Sequence, residues 1–298
     1  MTGTGNSMKS GQTKPLVSVI MPFYNGGPAF ADAIRSIRGQ TYDNWELLLC
    51  DDGSTDGSLG VARKLADSRI RVWSDGCRRG LAPRLNECID LARGELIARM
   101  DADDISYPDR LSQQVAFLAD HTEIDVVGCR MLIFGDDGTP LGKRPVPLEH
   151  QSIVANPSLG FGLAHPTWMA RAAWYRRYRY NPEAIRYEDV ELLYRAYPAS
   201  RFANLSELLY GYREPRGGFQ KRLKTRIGRI RFLAARHRTM GLGLLTKATI
   251  AEAVKAASDA VLAVTGTRYV ILKTREERLS EQDLRIWNEV VIAGDTRS

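Results

Sequence analysis

Two short apolar runs, each broken off by a cluster of carboxylates, constrain this chain more than any other feature. Residues 45–50 are apolar apart from Glu46 and stop at Asp51-Asp52-Gly53-Ser54-Thr55-Asp56. Residues 95–100 repeat the pattern and stop at Asp101-Ala102-Asp103-Asp104. A third run, 16–21, rich in β-branched residues, precedes both and ends at Pro22. Runs of this length bounded by turn residues read as buried strands. Between them Phe30, Ala33, Ile34 and Ile37 recur at helical spacing before Gly39, and Leu81, Leu85, Cys88 and Ile89 do so before Gly94. A helix over 54–66 and a strand over 69–73 complete the alternation. Strands alternating with helices predict an α/β fold, a mostly parallel central sheet flanked by helices on both faces. Ligands bind such sheets at the carboxyl ends of the strands, where both acidic clusters fall.

Beyond Pro108 the pattern loosens. Helices are expected over 109–119 and 190–197, extended segments over 125–134, 166–170 and 208–212, and a turn at 135–138. Residues 219–237 and 246–264 read as helical. Residues 1–15, Gly/Ser/Thr-rich and without the apolar centre of a signal peptide, are expected to be a disordered tail. No stretch reaches the ~18 apolar residues of a membrane span. Cys50, Cys77, Cys88 and Cys129 contain no C-x-x-C pair, which disfavours a zinc cluster or a redox dithiol. No G-x-G-x-x-G follows the first strand, which disfavours a dinucleotide enzyme. The composition, 44% hydrophobic and 26% charged, excludes a disordered chain.

Several carboxylates converging on one sheet edge repel one another and call for a counter-charge. A divalent cation with oxygen ligands supplies it, and Mg²⁺ favours one or two carboxylates plus substrate phosphates. Each cluster alone is equally well explained as turn and N-cap chemistry. Two clusters at neighbouring strand ends, with Glu188-Asp189 opening a later helix, favour a site.

The ordered set 17–25 (Val-Ser-Val-Ile-Met-Pro-Phe-Tyr-Asn), 40–48, 51–56 and 94–104 resembles the family 2 nucleotide-sugar glycosyltransferases of bacterial polysaccharide biosynthesis, which have the GT-A fold. The likeness runs from about Val17 to about Arg213. It implies a GT-A domain over 16–218, with a nucleotide-sugar half at 16–104 and an acceptor half at 105–218. Residues 219–298 are expected to form a basic helical C-terminal extension, and the resemblance also assigns site residues. It implies Pro22 and Tyr24 at the nucleotide base and Asp52 on the uracil or ribose. Arg79 or Arg84 is expected at the nucleotide or diphosphate, and Arg213 or Arg216 at the diphosphate. Asp103 is the implied metal ligand, Mn²⁺ or Mg²⁺, with Asp101 beside it on the sugar or ribose. Asp189 is the implied catalytic base, with Glu188 as its neighbour. His165, in His-Pro-Thr, is weighed equally as a pocket residue and as a structural histidine. Trp174, Tyr175, Tyr178 and Tyr180 are read chiefly as core, with acceptor stacking as the alternative.

The implied activity is metal-dependent, inverting transfer of a sugar from a nucleotide donor, UDP-linked by expectation, to a glycan or lipid-linked glycan. A nucleotidyltransferase and a non-catalytic nucleotide-sugar or polyanion-binding module are the rivals. Between Arg213 and Arg238 stand ten Arg or Lys against one Glu, so the net charge of +7 is local to that segment. An anionic membrane surface is one reading of 219–238, and a solvated face or a homo-oligomer contact is the other; no signature of a nucleic-acid module accompanies it. The expected location is cytoplasmic, peripheral on the inner membrane face if 219–238 docks there.

Overall fold

The structure, a computed structural model, describes residues 14–157 and 160–214, part of the positions between 223 and 261, and residues 277–295. The expected tail, apart from Lys14 and Pro15, lies outside the described residues, as do Arg216 and most of the 219–238 segment.

Four parallel strands form the first half of the sheet. They are β1 (Val17–Phe23), β2 (Trp45–Asp51), β3 (Ile70–Ser74) and β4 (Leu96–Arg99). Alternate residues of β1 face opposite layers, as the two-residue period of a strand dictates. Val17, Val19 and Met21 pack with α1 (Phe30–Arg38), α2 (Ser58–Leu65) and α4 (Arg110–Asp120). Ile20 packs on the other face, with Leu85, Cys88 and Ile89 of α3 (Leu81–Leu91). The result is a three-layer α/β arrangement with its core on both faces of the sheet.

The second half is mixed. It contains β5 (Ile105–Ser106), β6 (Val126–Phe134), β7 (Pro140–Arg144), β8 (Met169–Arg171) and β9 (Phe202–Arg213). The sheet order is β3-β2-β1-β4-β8-β6-β9-β5, with β7 alongside β6. Strand β8 runs antiparallel to β4 and β6, whereas β6 and β9 are parallel. The parallel character expected of the whole sheet therefore belongs mainly to its first four strands. Short helices α5 (His150–Ile153) and α6 (Ala172–Arg177), and then α7 (Glu188–Ala196), connect these strands.

Trp174, Tyr175 and Tyr180 are buried in the core layer of α3, α6 and α7, which leaves them no acceptor to stack on. The boundary expected at 218/219 is crossed by packing. In the last helix, α8 (Glu281–Asp295), Trp287 is 2% exposed against Tyr107, Leu132 and Phe134. Its indole N–H donates to the Gly138 carbonyl at 3.2 Å, and Lys143 pairs with Asp283 at 2.7 Å.

Candidate active site

The carboxyl ends of β1, β2 and β4 open on a cleft of about 1090 Å³. Pro22, Tyr24, Asp52, Arg79, Arg84, Asp101, His165, Glu188 and Asp189 all line it. Residues from six separate stretches of sequence thus meet in one place.

At the β2 end the carboxylates divide their work. Asp51 is buried, and takes the Ser54 N–H at 2.9 Å and the Ser74 hydroxyl at 2.7 Å. Asp56 takes the Gly27 N–H at 3.0 Å and the Ser58 hydroxyl at 2.6 Å. These two do turn chemistry. Gly53 between them has φ +75°, and a Cβ there would meet the Cys77 carbonyl carbon at 3.1 Å, so glycine is required. Asp52 alone of the three faces the cleft. Its carboxylate accepts the Arg79 and Gly80 N–H groups at 2.7 and 3.0 Å, capping the start of α3.

Arg84 is expected at the donor, but its guanidinium is 1% exposed and fully engaged. Nε donates to Asp52, Nη1 to Asp75 and Glu87, and Nη2 to Asp75 and the Cys77 carbonyl. Five acceptors match the five N–H groups of an arginine, so Arg84 holds Asp52 in place and has nothing left for a phosphate. Arg79 is half exposed and pairs with Asp75 at 2.6 Å and Glu87 at 3.1 Å. Arg78, which no sequence motif marks, has its guanidinium carbon 3.9 Å from the centroid of the Tyr24 ring.

At the β4 end, carboxylate oxygens of Asp101, Asp103 and Asp104 lie within 4.8 Å of one another. Asp104 is completely buried, accepting the Tyr210 hydroxyl and the Arg213 N–H, each at 2.8 Å. Burial and the charges of Asp101 and Asp103 push its carboxyl well above the usual range. Strand β9 thereby pins the Asp-x-Asp loop to the sheet. Three hard oxygen donors that repel one another are a set that could hold a divalent cation such as Mg²⁺ or Mn²⁺. Arg213 is expected at the diphosphate, yet it does not line the cleft. Its Nε donates to the Asp103 carbonyl at 2.9 Å and its guanidinium covers Phe134, so it braces the loop from behind.

Glu188 and Asp189 open α7, where a helix N-terminus favours negative charge. Arg186, two residues earlier, is held at φ +68°, a left-handed conformation costing roughly 1 kcal/mol or more in a residue with a Cβ. That turn brings the pair into the cleft. Glu188 is 8% exposed; burial, then the Asp189 charge, push its carboxyl up to about 7. His165 is buried with Nε2 2.8 Å from the Tyr180 hydroxyl, and burial followed by the Arg99 charge keeps the ring neutral.

The sequence pattern of glycosyl transferase family 2 matches residues 18–187. The chain belongs to that family. It is 42% identical over 216 residues to EpsE of Bacillus subtilis (strain 168), a candidate glycosyltransferase, covering 70% of this chain and 76% of EpsE. It is 32% identical over 147 residues to WfgD of Escherichia coli, a UDP-Glc:alpha-D-GlcNAc-diphosphoundecaprenol beta-1,3-glucosyltransferase. That match covers 49% of this chain and 57% of WfgD. Among solved structures, the mannosyltransferase PcManGT from Pyrobaculum calidifontis, in complex with GDP-Man and Mn²⁺, superposes with a TM-score of 0.59 at 18% identity. The superposition covers 96% of this chain and 87% of PcManGT. The fold is GT-A, and this family 2 chain is a glycosyltransferase.

Two features that shape the site of this glycosyltransferase carry unequal signals in the sequence. Tyr210 and Asp104 join the Asp-x-Asp loop to a strand about a hundred residues away, and no local pattern signals that. Arg99 had a visible signal: it is the one charged residue between Leu96 and Met100, in a strand buried along its whole length.

Proposed function

We propose that the protein transfers a sugar from a nucleotide donor, UDP-linked, to a hydroxyl of a lipid-linked glycan, with inversion and with Mn²⁺ or Mg²⁺ bound between Asp101 and Asp103. The observation that carries this reading is the convergence of Asp52, Asp101 and the Glu188–Asp189 pair on one cleft in a family 2 chain. The donor nucleotide and the lipid-linked acceptor are carried over from the name of WfgD, and the metal from the PcManGT complex together with the three-carboxylate cluster. The likeness to WfgD, whose name carries a diphosphoundecaprenol-linked acceptor, supports a part in building a bacterial polysaccharide.

The cleft divides into a nucleotide end and a transfer end. Tyr24 presents its ring for the base, with Arg78 over one face, and Asp52 accepts from ribose or base N–H and O–H groups. When bound, the divalent ion neutralises charge that develops on the departing diphosphate. Asp189 removes the proton of the acceptor hydroxyl as that oxygen attacks the anomeric carbon. The bond from this carbon to the phosphate oxygen breaks with its electron pair, and nucleoside diphosphate leaves. Glu188, buried beside it and partly protonated near neutrality, restrains the charge in the pocket.

A general base is worth about 10²–10⁴ in rate. Asp189→Asn should therefore lower transfer by at least about 10²-fold while calorimetric titration with UDP and Mn²⁺ still shows binding. Full activity in Asp189→Asn would remove Asp189 from the mechanism. Release of pyrophosphate in place of nucleoside diphosphate would identify a nucleotidyltransferase.

A further inference from the structure

Arg99 is the last residue of β4, 3% exposed, and its side chain lines the cleft. Nη2 donates to Asp101 Oδ1 at 2.5 Å. Nε and Nη1 are buried and meet no acceptor among the described residues. Asp101 is its ion-pair partner, and a guanidinium keeps its charge in a protein. Leaving a buried donor unpaired costs about 1–3 kcal/mol, and more for a charged group. A cation in that state on the wall of a cleft is stabilised by whatever fills the cleft with oxygen acceptors.

The place of Arg99 says which part of a donor that is. In the sheet, β4 lies between β1 and β8. The base end, with Tyr24 and Asp52, belongs to β1 and β2. Arg99 is on the other flank, lining the cleft with Asp101, His165 and Glu188. It therefore stands between the carboxylates assigned to the metal and those assigned to the base. In a glycosyl transfer that interval holds the sugar in flight.

We propose that Arg99 reads the transferred sugar, donating from Nε and Nη1 to its hydroxyl or acyl-carbonyl oxygens, and that this sugar carries no charge. The neutrality follows from the surroundings. Asp101 already serves as the counter-ion of Arg99, and Glu188 and Asp189 line the same cleft. A uronate would be repelled by them and would compete with Asp101 for one guanidinium. This assignment rests on the glycosyltransferase reading of the cleft and adds to it the residue and the chemical class that select the sugar.

The test is calorimetric titration in Mn²⁺ of the wild type, Arg99→Lys and Arg99→Met. The probes are UDP, GDP, UDP-glucose, UDP-N-acetylglucosamine, GDP-mannose and UDP-glucuronate. Hydrogen bonds to a charged group are worth about 1.5–3 kcal/mol, so both variants should bind the preferred sugar nucleotide roughly 10- to 100-fold more weakly. Their affinity for the bare nucleoside diphosphate should stay within about twofold of wild type, because that molecule has no sugar to read. Arg99→Lys keeps the positive charge beside Asp101, so it separates loss of donors from loss of fold. Equal weakening of diphosphate and sugar nucleotide would overturn the assignment, as would unchanged affinities alongside a lower melting temperature. A wild type that prefers UDP-glucuronate would overturn the neutral class. A wild type that binds neither UDP nor GDP would sink the donor reading itself, and this assignment with it.

Discussion

At Glu188 a carboxyl is buried beside another carboxyl, and its raised value of about 7 has a consequence for stability. The folded protein holds this proton more tightly than the unfolded chain, whose glutamate titrates near 4.5. The proton's contribution to stability is therefore fully present below about pH 4.5 and is lost as pH rises through about 7. At about 1.4 kcal/mol per pH unit the loss is of order 3 kcal/mol. Glu188→Gln cannot titrate and should escape it. Urea denaturation at pH 5 and pH 8 would show the variant gaining on wild type at the higher pH; an equal difference at both would refute the burial effect. Single residues also show how far the sequence could be read. Asp51, Asp52 and Asp56 are the same residue type within six positions, yet only Asp52 faces the cleft. Local pattern locates the cluster. Which carboxylate turns inward is decided by Ser74, Gly27 and Arg84, which come from elsewhere in the chain.

Among the elements, the strands and helices of the first half lie within a residue or two of where periodicity puts them, because each has one clear apolar face. The exceptions have local causes. The helix expected over 54–66 begins at Ser58, since Ser54 and Asp56 are spent on turn hydrogen bonds. The strand expected over 208–212 extends back to Phe202, because Asn204, Ser206 and Glu207 interrupt the apolar pattern that marks a strand. The segment expected to be extended over 166–170 begins as a single 3₁₀ turn, His165–Thr167, and only Met169–Arg171 is strand. The most consequential junction is the one between β2 and α3, where Arg84 ties Asp52, Asp75 and Glu87 together. Removing one partner of a buried ion pair costs about 3–5 kcal/mol, because the other charge is left uncompensated. Arg84→Met should thus destabilise the protein by about 3 kcal/mol through the Arg84–Asp52 pair, and should weaken UDP binding by freeing Asp52. Denaturation and UDP titration of the same variant check both halves. Undiminished stability would show that Arg84 is no clasp and return it to the donor.

On the scale of the whole molecule, charge and apolar surface are arranged the wrong way round for a helix that faces only water. Ile250, Val254, Ala257 and Val261 are spaced four, three and four apart, the repeat of one helix face, and all four are exposed. Glu252, in contrast, is 2% exposed, and pairs with Arg226 at 3.1 Å and Lys255 at 3.0 Å. Near the mouth of the cleft Ile185 is 71% exposed, and Ile227 is 42% exposed in the basic segment. No helix among the described residues is long and apolar enough to cross a membrane. An apolar stripe joined by an ion pair to a segment of ten cations suits the surface of an anionic bilayer, where each nearby Lys or Arg is worth about 1 kcal/mol. It would also bring the cleft to a lipid-linked acceptor. The full-length protein should sediment with vesicles of phosphatidylglycerol and phosphatidylcholine, but not with phosphatidylcholine alone. That binding should weaken as salt is raised, since exposed charges are screened over about 10 Å at 0.1 M. Val254→Glu should reduce it further, with little change in transfer to a short water-soluble acceptor. Equal recovery with charged and neutral vesicles, or binding indifferent to Val254→Glu, would leave the stripe to another partner, a second copy of the chain, which sedimentation equilibrium without lipid would reveal.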